Sequence, residues 1–301
     1  MNRREIIKEY ERLILDERSK ESDYFALLNQ LKNRKFYRYR KCDEETIKAL
    51  EKDQVLFSSP AYFNDGYDTT GYYDMDLAFQ KAAATFHEVE RRNDPTLENM
   101  IKQSFSMERM RQMNAICCIS STNKSILMWS LYAASSQGFC LEYDFHQVCV
   151  AQHKPYLYSG KADLAAECYL MPVVYSNKRL NIQEIADYFA CDFASFALTD
   201  QPCSIPANPT LSLRLALVKG KEWAWEREWR LIAQQTPSSR FGPFDGRAAI
   251  TKRPTSVFLG ARIERANKEK LISIFAPKGV PIYKTVMPNA KKYALYFERI
   301  L

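Results

Sequence analysis

Apolar residues recur at helical spacing at the start of the chain. Ile6, Ile7, Tyr10, Leu13 and Ile14 share one face of segment 3–18, which predicts an amphipathic helix. A second short helix is expected at 23–32. Together the two read as a helical N-terminal extension over 1–34. The period then shortens to that of strands. F-Y-R-Y-R at 36–40 predicts a strand, E-E-T-I-K-A-L-E-K at 44–52 a helix, and Q-V-L-F-S-S at 54–59 a second strand stopped by Pro60. Residues 74–92 and 96–113 read as a helical pair divided by Asn93-Asp94-Pro95. A buried strand is expected at 115–121, a short helix at 126–134, and strands at 138–144 and 169–175. A helix at 181–198, a proline-marked loop at 202–209 and a helix at 211–219 follow. Short strands then dominate, at 228–234, 247–250, 255–260, 281–286 and 292–298, interrupted by a helix at 264–275. Helices and strands do not alternate as βαβ units. The expected class is α+β with mixed sheets, one domain over 35–301 carrying a helical insertion at about 74–113.

Composition narrows this picture a little. At 301 residues, with 46% hydrophobic and 26% charged positions, the chain is long enough and apolar enough to bury a large core. A net charge of +7 weakly favours an anionic ligand such as a nucleotide or nucleic acid. The longest basic run is only K-N-R-K at 32–35, which does not establish nucleic-acid binding. None of the eight cysteines forms a C-x-x-C pair, and several sit inside apolar runs. The start is charged, M-N-R-R-E, and no apolar run is long enough for a membrane helix. These features predict a reduced, cytoplasmic protein with buried thiols and no membrane contact.

The densest chemistry lies in K-E-W-A-W-E-R-E-W-R, Lys221 to Arg230, which holds three of the four tryptophans. On a strand, Glu226 and Glu228 would share one face, with Trp225, Arg227 and Trp229 on the other. Two adjacent carboxylates repel, so one pKa rises unless a cation stands near. This pair suits a polar cleft better than a plain surface. Three further motifs carry polar residues. In F-S-S-P-A-Y-F-N-D-G-Y-D, Phe57 to Asp68, the residues Ser58, Ser59, Asn64 and Asp65 either serve tight turns or line the mouth of a cleft. In the run Cys118 to Tyr132, Ser120, Ser121 and Thr122 end a strand, and Trp129 and Tyr132 share a helix face. That face suits a core, and it could also stack a flat ring. Arg38 and Arg40 alternate on a strand, as solvated side chains or as a clamp for phosphate.

Metal chemistry is weakly supported. His146, Cys149 and His153 fit no zinc spacing and read as surface residues. Asp65, Asp68, Asp74 and Asp76 with Glu226 and Glu228 are the available ligands for a hard cation. No Walker loop, G-x-G-x-x-G, G-x-S-x-G or convincing Cys/His nucleophile pair is present. No metal is expected.

Taken in order, these motifs resemble the bacterial family of unknown function DUF2971. The resemblance rests on Y-R-Y-R, L-F-S-S-P-x-x-F-N-D, a strand ending I-S-S-T, M-W-x-x-Y, the strand Gly138 to Tyr143, and K-G-K-E-W-A-W-E-R-E-W-R. It covers roughly Phe36 to Leu231, and Gly66 departs from it where proline is expected. The family name supplies no activity. More distantly, an early arginine, hydroxyl residues ending a middle strand and a late Glu-x-Glu resemble ADP-ribosyltransferases. That resemblance implies a split β-sandwich and NAD as substrate. It implies that Arg38 or Arg40 holds NAD, and that Ser120-Ser121 or Ser58-Ser59 supports the glutamates. Glu228 would be the catalytic carboxylate and Glu226 its partner, orienting the acceptor. Trp129 or Tyr132 would pack near the nicotinamide. The acceptor would be a protein or nucleic acid, and the setting bacterial defence or stress. Two rivals stand beside this reading. One is a metal-dependent nuclease or phosphoesterase using Asp65, Asp68, Glu226 and Glu228. The other is a nucleotide sensor or interaction module without turnover.

Overall fold

The computed structural model describes residues 2–301 apart from 17, 29, 32–34, 86–94, 105–106, 108–110, 112–113, 146–155, 158–164, 167, 199–208, 235–248 and 290. His146, Cys149 and His153 lie outside the described residues, as does most of the expected proline loop. The class is α+β.

The chain opens with α1 (Arg3–Leu15) and α2 (Glu21–Leu28). Asn2 caps α1 by accepting from the Arg4 and Glu5 amides, and Glu5 reciprocates at the Asn2 amide. The predicted apolar face is buried: Ile6, Tyr10, Leu13 and Ile14 belong to the main core. The Tyr10 hydroxyl donates to the Pro172 carbonyl at 3.0 Å, and Arg214 Nε to the Ile14 carbonyl at 2.8 Å. Next come β1 (Phe36–Arg40), α3 (Glu44–Glu51), β2 (Gln54–Leu56) and β3 (Gly71–Tyr72). The helical insertion provides α4 (Met75–Thr85) and α5 (Pro95–Ser104).

After β4 (Asn114–Ser120), α6 (Ile126–Tyr132) and β5 (Phe139–Tyr143) come the short β6 (Tyr156–Leu157) and β7 (Ala165–Ala166). The strand expected at 169–175 divides into β8 (Cys168–Pro172) and β9 (Val174–Ser176). Then β10 (Leu180–Asn181) leads into α7 (Gln183–Leu198) and α8 (Pro209–Leu215). The helix expected over 211–219 stops at Leu215. Residues Val218–Gly220 are instead β11, which pairs with β9. The chain ends with β12 (Glu228–Gln234), β13 (Ala249–Thr251), β14 (Ser256–Leu259), α9 (Arg265–Phe275), β15 (Ile282–Val286) and β16 (Tyr296–Arg299).

Eight strands form one sheet in the order β16-β15-β14-β5-β1-β4-β12-β8, and the other strands form two-stranded pairs. Neighbours in the large sheet are antiparallel except β14 and β15. β12 lies between β4 and β8, both earlier in the chain. Register sets the two faces, because directly paired residues point the same way. Tyr37 pairs with Ser120 and Ser120 with Glu228, so these three share a face. Phe36, Arg38, Ile119 and Trp229 fall on the other, which is the main core, with Phe36 edge-on to Trp229 at 5.2 Å. On the first face a smaller cluster gathers Tyr39, Trp129, Cys140 and Phe258. A third cluster joins α4, α7 and α8 through Ala78, Ala82, Ala186, Ala190 and Leu215.

Cys117, Cys140 and Cys191 are buried free thiols, and Cys42 and Cys118 are half-buried. Between α6 and β5 the backbone makes a left-handed turn without glycine: Ala134, Ser135 and Ser136 have φ of 47°, 55° and 65°. Among the described residues no helix is long and apolar enough to cross a membrane.

Candidate functional site

The face that carries Glu228 also carries a buried charge network. Lys221–Glu226 is a 3-10 turn, not a strand, and Arg227 follows in the left-handed region at φ 48°. Glu226 and Glu228 therefore meet by a different route from simple alternation. The turn brings Glu226 back over the end of β12, and both carboxylates reach Lys219. Lys219 Nζ donates to Glu226 Oε2 at 2.6 Å and to Glu228 Oε2 at 3.0 Å, and stands 3.5 Å from Asp68 Oδ2. Arg230, two residues along β12 on the same face, donates to Glu228 Oε1 at 2.8 Å, Asp68 Oδ2 at 2.6 Å and the Ala216 carbonyl at 2.7 Å. All five charged groups are buried. The Tyr132 hydroxyl donates to Glu226 Oε1 and is also hydrogen-bonded to Asn64. The Tyr175 hydroxyl accepts from the Glu228 amide at 2.8 Å.

Three carboxylates against two cations leave one negative charge in surplus. Glu226 absorbs it. Burial, reinforced by the charge of Glu228, pushes its carboxyl up to about 7 from an ordinary 4.5, against the pull of Lys219. Burial works in the same direction on Glu228, but Arg230 and Lys219 outweigh it and hold that carboxyl far below the usual range. Burial likewise works to discharge Lys219, and the Glu228, Asp68 and Glu226 carboxylates overcome it, so the ammonium titrates well above its ordinary value. Burial, then Glu226, raises the Tyr132 hydroxyl. The repulsion expected between adjacent glutamates is thus resolved asymmetrically: Glu228 is fixed as an anion, and Glu226 is left near neutrality.

The other predicted residues divide between this cluster and the scaffold. Ser120 Oγ donates to the Glu226 carbonyl at 2.7 Å, and the Ser121 amide and hydroxyl both donate to the Arg227 carbonyl, at 3.0 and 3.3 Å. These hydroxyls brace the backbone that carries the glutamates. Ser58 bridges to Ile116, and Ser59 caps the Pro60–Tyr62 turn while donating to the Arg111 carbonyl. Asp65 accepts from the Tyr67 amide at 2.9 Å. Ser59 and Asp65 are thereby occupied in turn chemistry, and the turn they shape delivers Asp68 to Arg230. Asp74 accepts from the Leu77 amide at the start of α4, and Asp76 pairs with Lys102.

Arg38 is not in the site. It lies on the opposite sheet face and donates to the Leu56 carbonyl. Arg40 shares that face by alternation. One strand, β4, separates both from β12. Trp129 is core: it is 2% exposed, donates to the Asn123 carbonyl and meets Tyr39 edge-on at 5.3 Å. Two partly exposed rings lie nearer the cluster. Trp223 is half-buried, with Lys219 Nζ 4.9 Å from its ring centre, and Trp225, also half-buried, is 5.9 Å from Trp223. Trp225 was expected beside Trp229 on one strand face. The 3-10 turn separates them, and Trp229 alone enters the main core.

Lys219, Arg230, Tyr175 and Trp223 were not singled out from sequence. Arg230 was findable from its spacing to Glu228 on a strand. Lys219 was hidden by the helix expected through it. The three carboxylates converge on a lysine, and no group of three or more His, Cys, Asp or Glu among the described residues is arranged to hold a metal.

No curated protein and no solved structure matches the chain. A family model does match, from the third residue of α6 into β12, a stretch that contains every member of the cluster except Asp68 and Asn64. Residues 128–231 are similar to the family described as protein of unknown function (DUF2971).

Proposed function

We propose that the cluster is a catalytic centre that cleaves the N-glycosidic bond of a nucleotide, with NAD as substrate, and that Glu226 rather than Glu228 is the working carboxylate. The observation that carries this reading is the asymmetry of the pair. Glu228 has both oxygens held by buried cations. Glu226 sits near neutrality and shares one oxygen with the half-exposed Tyr132. A carboxylate near 7 is well matched to general-base work at neutral pH. As nicotinamide leaves with the bonding electrons, C1′ of the ribose becomes cationic, and the ionised form of Glu226, which restores the surplus charge of the cluster, stabilises it. Water or an acceptor hydroxyl, of a protein or nucleic acid, then bonds to C1′ and gives its proton to Glu226. The donor set disfavours the nuclease reading, because the Lys219 ammonium already occupies the meeting point of the carboxylates.

The test is nicotinamide release from NAD, with and without EDTA. Glu226→Gln is expected to fold and to lose about two to three orders of magnitude in rate, together with the rise of rate through pH 7. EDTA is expected to change nothing. Equal rates in wild type and Glu226→Gln would end the proposal. Binding of NAD without release would favour a sensor, and EDTA-sensitive cleavage of nucleic acid a nuclease.

A further inference from the structure

We propose that Trp223, Trp225 and Arg227 form a subsite for a nucleoside diphosphate, the indoles stacking the base and Arg227 holding a phosphate. This rests on the reading of the cluster as a nucleotide site and supplies the recognition that Arg38 does not. Glu226 and Glu228 both turn inward to Lys219. Their neighbours Trp223, Trp225 and Arg227 are left half-exposed or exposed. Trp223 is not a stray surface ring. Its face lies over the Lys219 ammonium that holds both glutamates, so a flat group stacked on it sits directly outside the charged cluster. Trp225, tilted by 37° to Trp223, widens the platform. Base–aromatic stacking of this kind is sequence-tolerant and strong.

Arg227 adds the charge. It is a non-glycine residue held left-handed, pinned through its carbonyl by the Ser121 amide and hydroxyl. Its exposed guanidinium has no hydrogen-bonding or ionic partner among the described residues. A strained backbone that presents an unpaired guanidinium beside a buried acid fits a functional constraint better than a structural one.

The test is titration of the full-length protein with ADP, followed by tryptophan fluorescence. Trp129 and Trp229 are buried, so quenching reports on Trp223 and Trp225. ADP is expected to quench, with adenosine and pyrophosphate each binding about tenfold or more weakly because each lacks one half of the ligand. Trp223→Ala and Arg227→Gln are expected to weaken ADP by about tenfold or more, and Arg227→Lys to restore part of the loss. Arg227→Gly separates function from structure: it relieves the left-handed strain, so the melting temperature is expected to rise while ADP binding falls. Failure of ADP to bind, or binding unchanged in both Trp223→Ala and Arg227→Gly, would overturn the subsite. The two proposals fail separately. NAD cleavage with an unaltered KM in these variants would remove the subsite and leave the catalytic centre. ADP binding that depends on these residues, without nicotinamide release, would do the reverse.

Discussion

Glu226 and Glu228 lie two positions apart and titrate in opposite directions, which gives the cluster a signed pH signature. The folded value of Glu226, about 7, exceeds its ordinary 4.5. Between these values the folded chain binds more protons than the unfolded one. The contribution of Glu226 to stability is therefore fully present below about 4.5 and is lost as pH rises through about 7. Glu228 is the reverse case: its contribution is present above 4.5 and is lost as pH falls below it. Across the window from 4.5 to 7, only the Glu226 effect varies. The melting temperature of Glu226→Gln relative to wild type is thus expected to climb between pH 5 and pH 8. A constant difference would mean that Glu226 titrates at its ordinary value. The two carboxylates were legible in the sequence because E-x-E is a conspicuous spacing. Their partners were less so. Asp68 sits in a turn whose residues read equally as turn chemistry, and Lys219 is drawn in only because the backbone breaks at Leu215. Arg38 was misplaced because alternation tells which residues share a face but not which face of the sheet holds the site.

At the scale of elements, strong periodicity served well and junctions did not. α1, β1, β4 and α9 fall within a few residues of their expected ends. The 3-10 turn Lys221–Glu226 carries no distinctive residue pattern, and the break at Val173 is marked only by Pro172, while the pairing of the two halves with different strands is set by tertiary structure. The same holds for the left-handed turn Ala134–Ser136. The sequence A-A-S-S-Q-G places its glycine after the turn, at Gly138, where a Cβ would lie 2.1 Å from the Arg40 carbonyl oxygen. The turn persists because its amides are used: Ser135 donates to the Ser130 carbonyl, Ser136 to that of Trp129 and Gly138 to that of Ala133. A left-handed non-glycine residue costs about 1 to 2 kcal/mol. Glycine removes that cost and returns part of it as unfolded-state entropy. Ser135→Gly is expected to gain about 0.5 to 1 kcal/mol, read from the midpoint of urea unfolding. An unchanged or lower midpoint would show that the Ser135 side chain offsets the strain.

For the whole molecule, the N-terminal helices are part of the main core. Ile6, Tyr10, Leu13 and Ile14 are buried against it, and Tyr10 and Arg214 tie α1 to the end of β8 and to α8. Burial of side chains of this size contributes about 1.5 to 3 kcal/mol each, against a total stability of about 5 to 15 kcal/mol for a typical protein. Deletion of residues 2–28 is therefore expected to leave little soluble, cooperatively melting protein. A truncated chain with a wild-type melting temperature would show that the helices only rest on the core. The position of β12 between β4 and β8 has a consequence in time. Glu228 pairs with Ser120, roughly a hundred residues earlier. On a ribosome adding about 5 to 20 residues per second, β4 is complete for about 5 to 20 s before its neighbour exists. Throughout that interval an apolar strand offers an open edge to any other nascent chain. Shielding of that edge during synthesis is therefore expected to bear on the yield of native protein independently of the stability of the finished sheet.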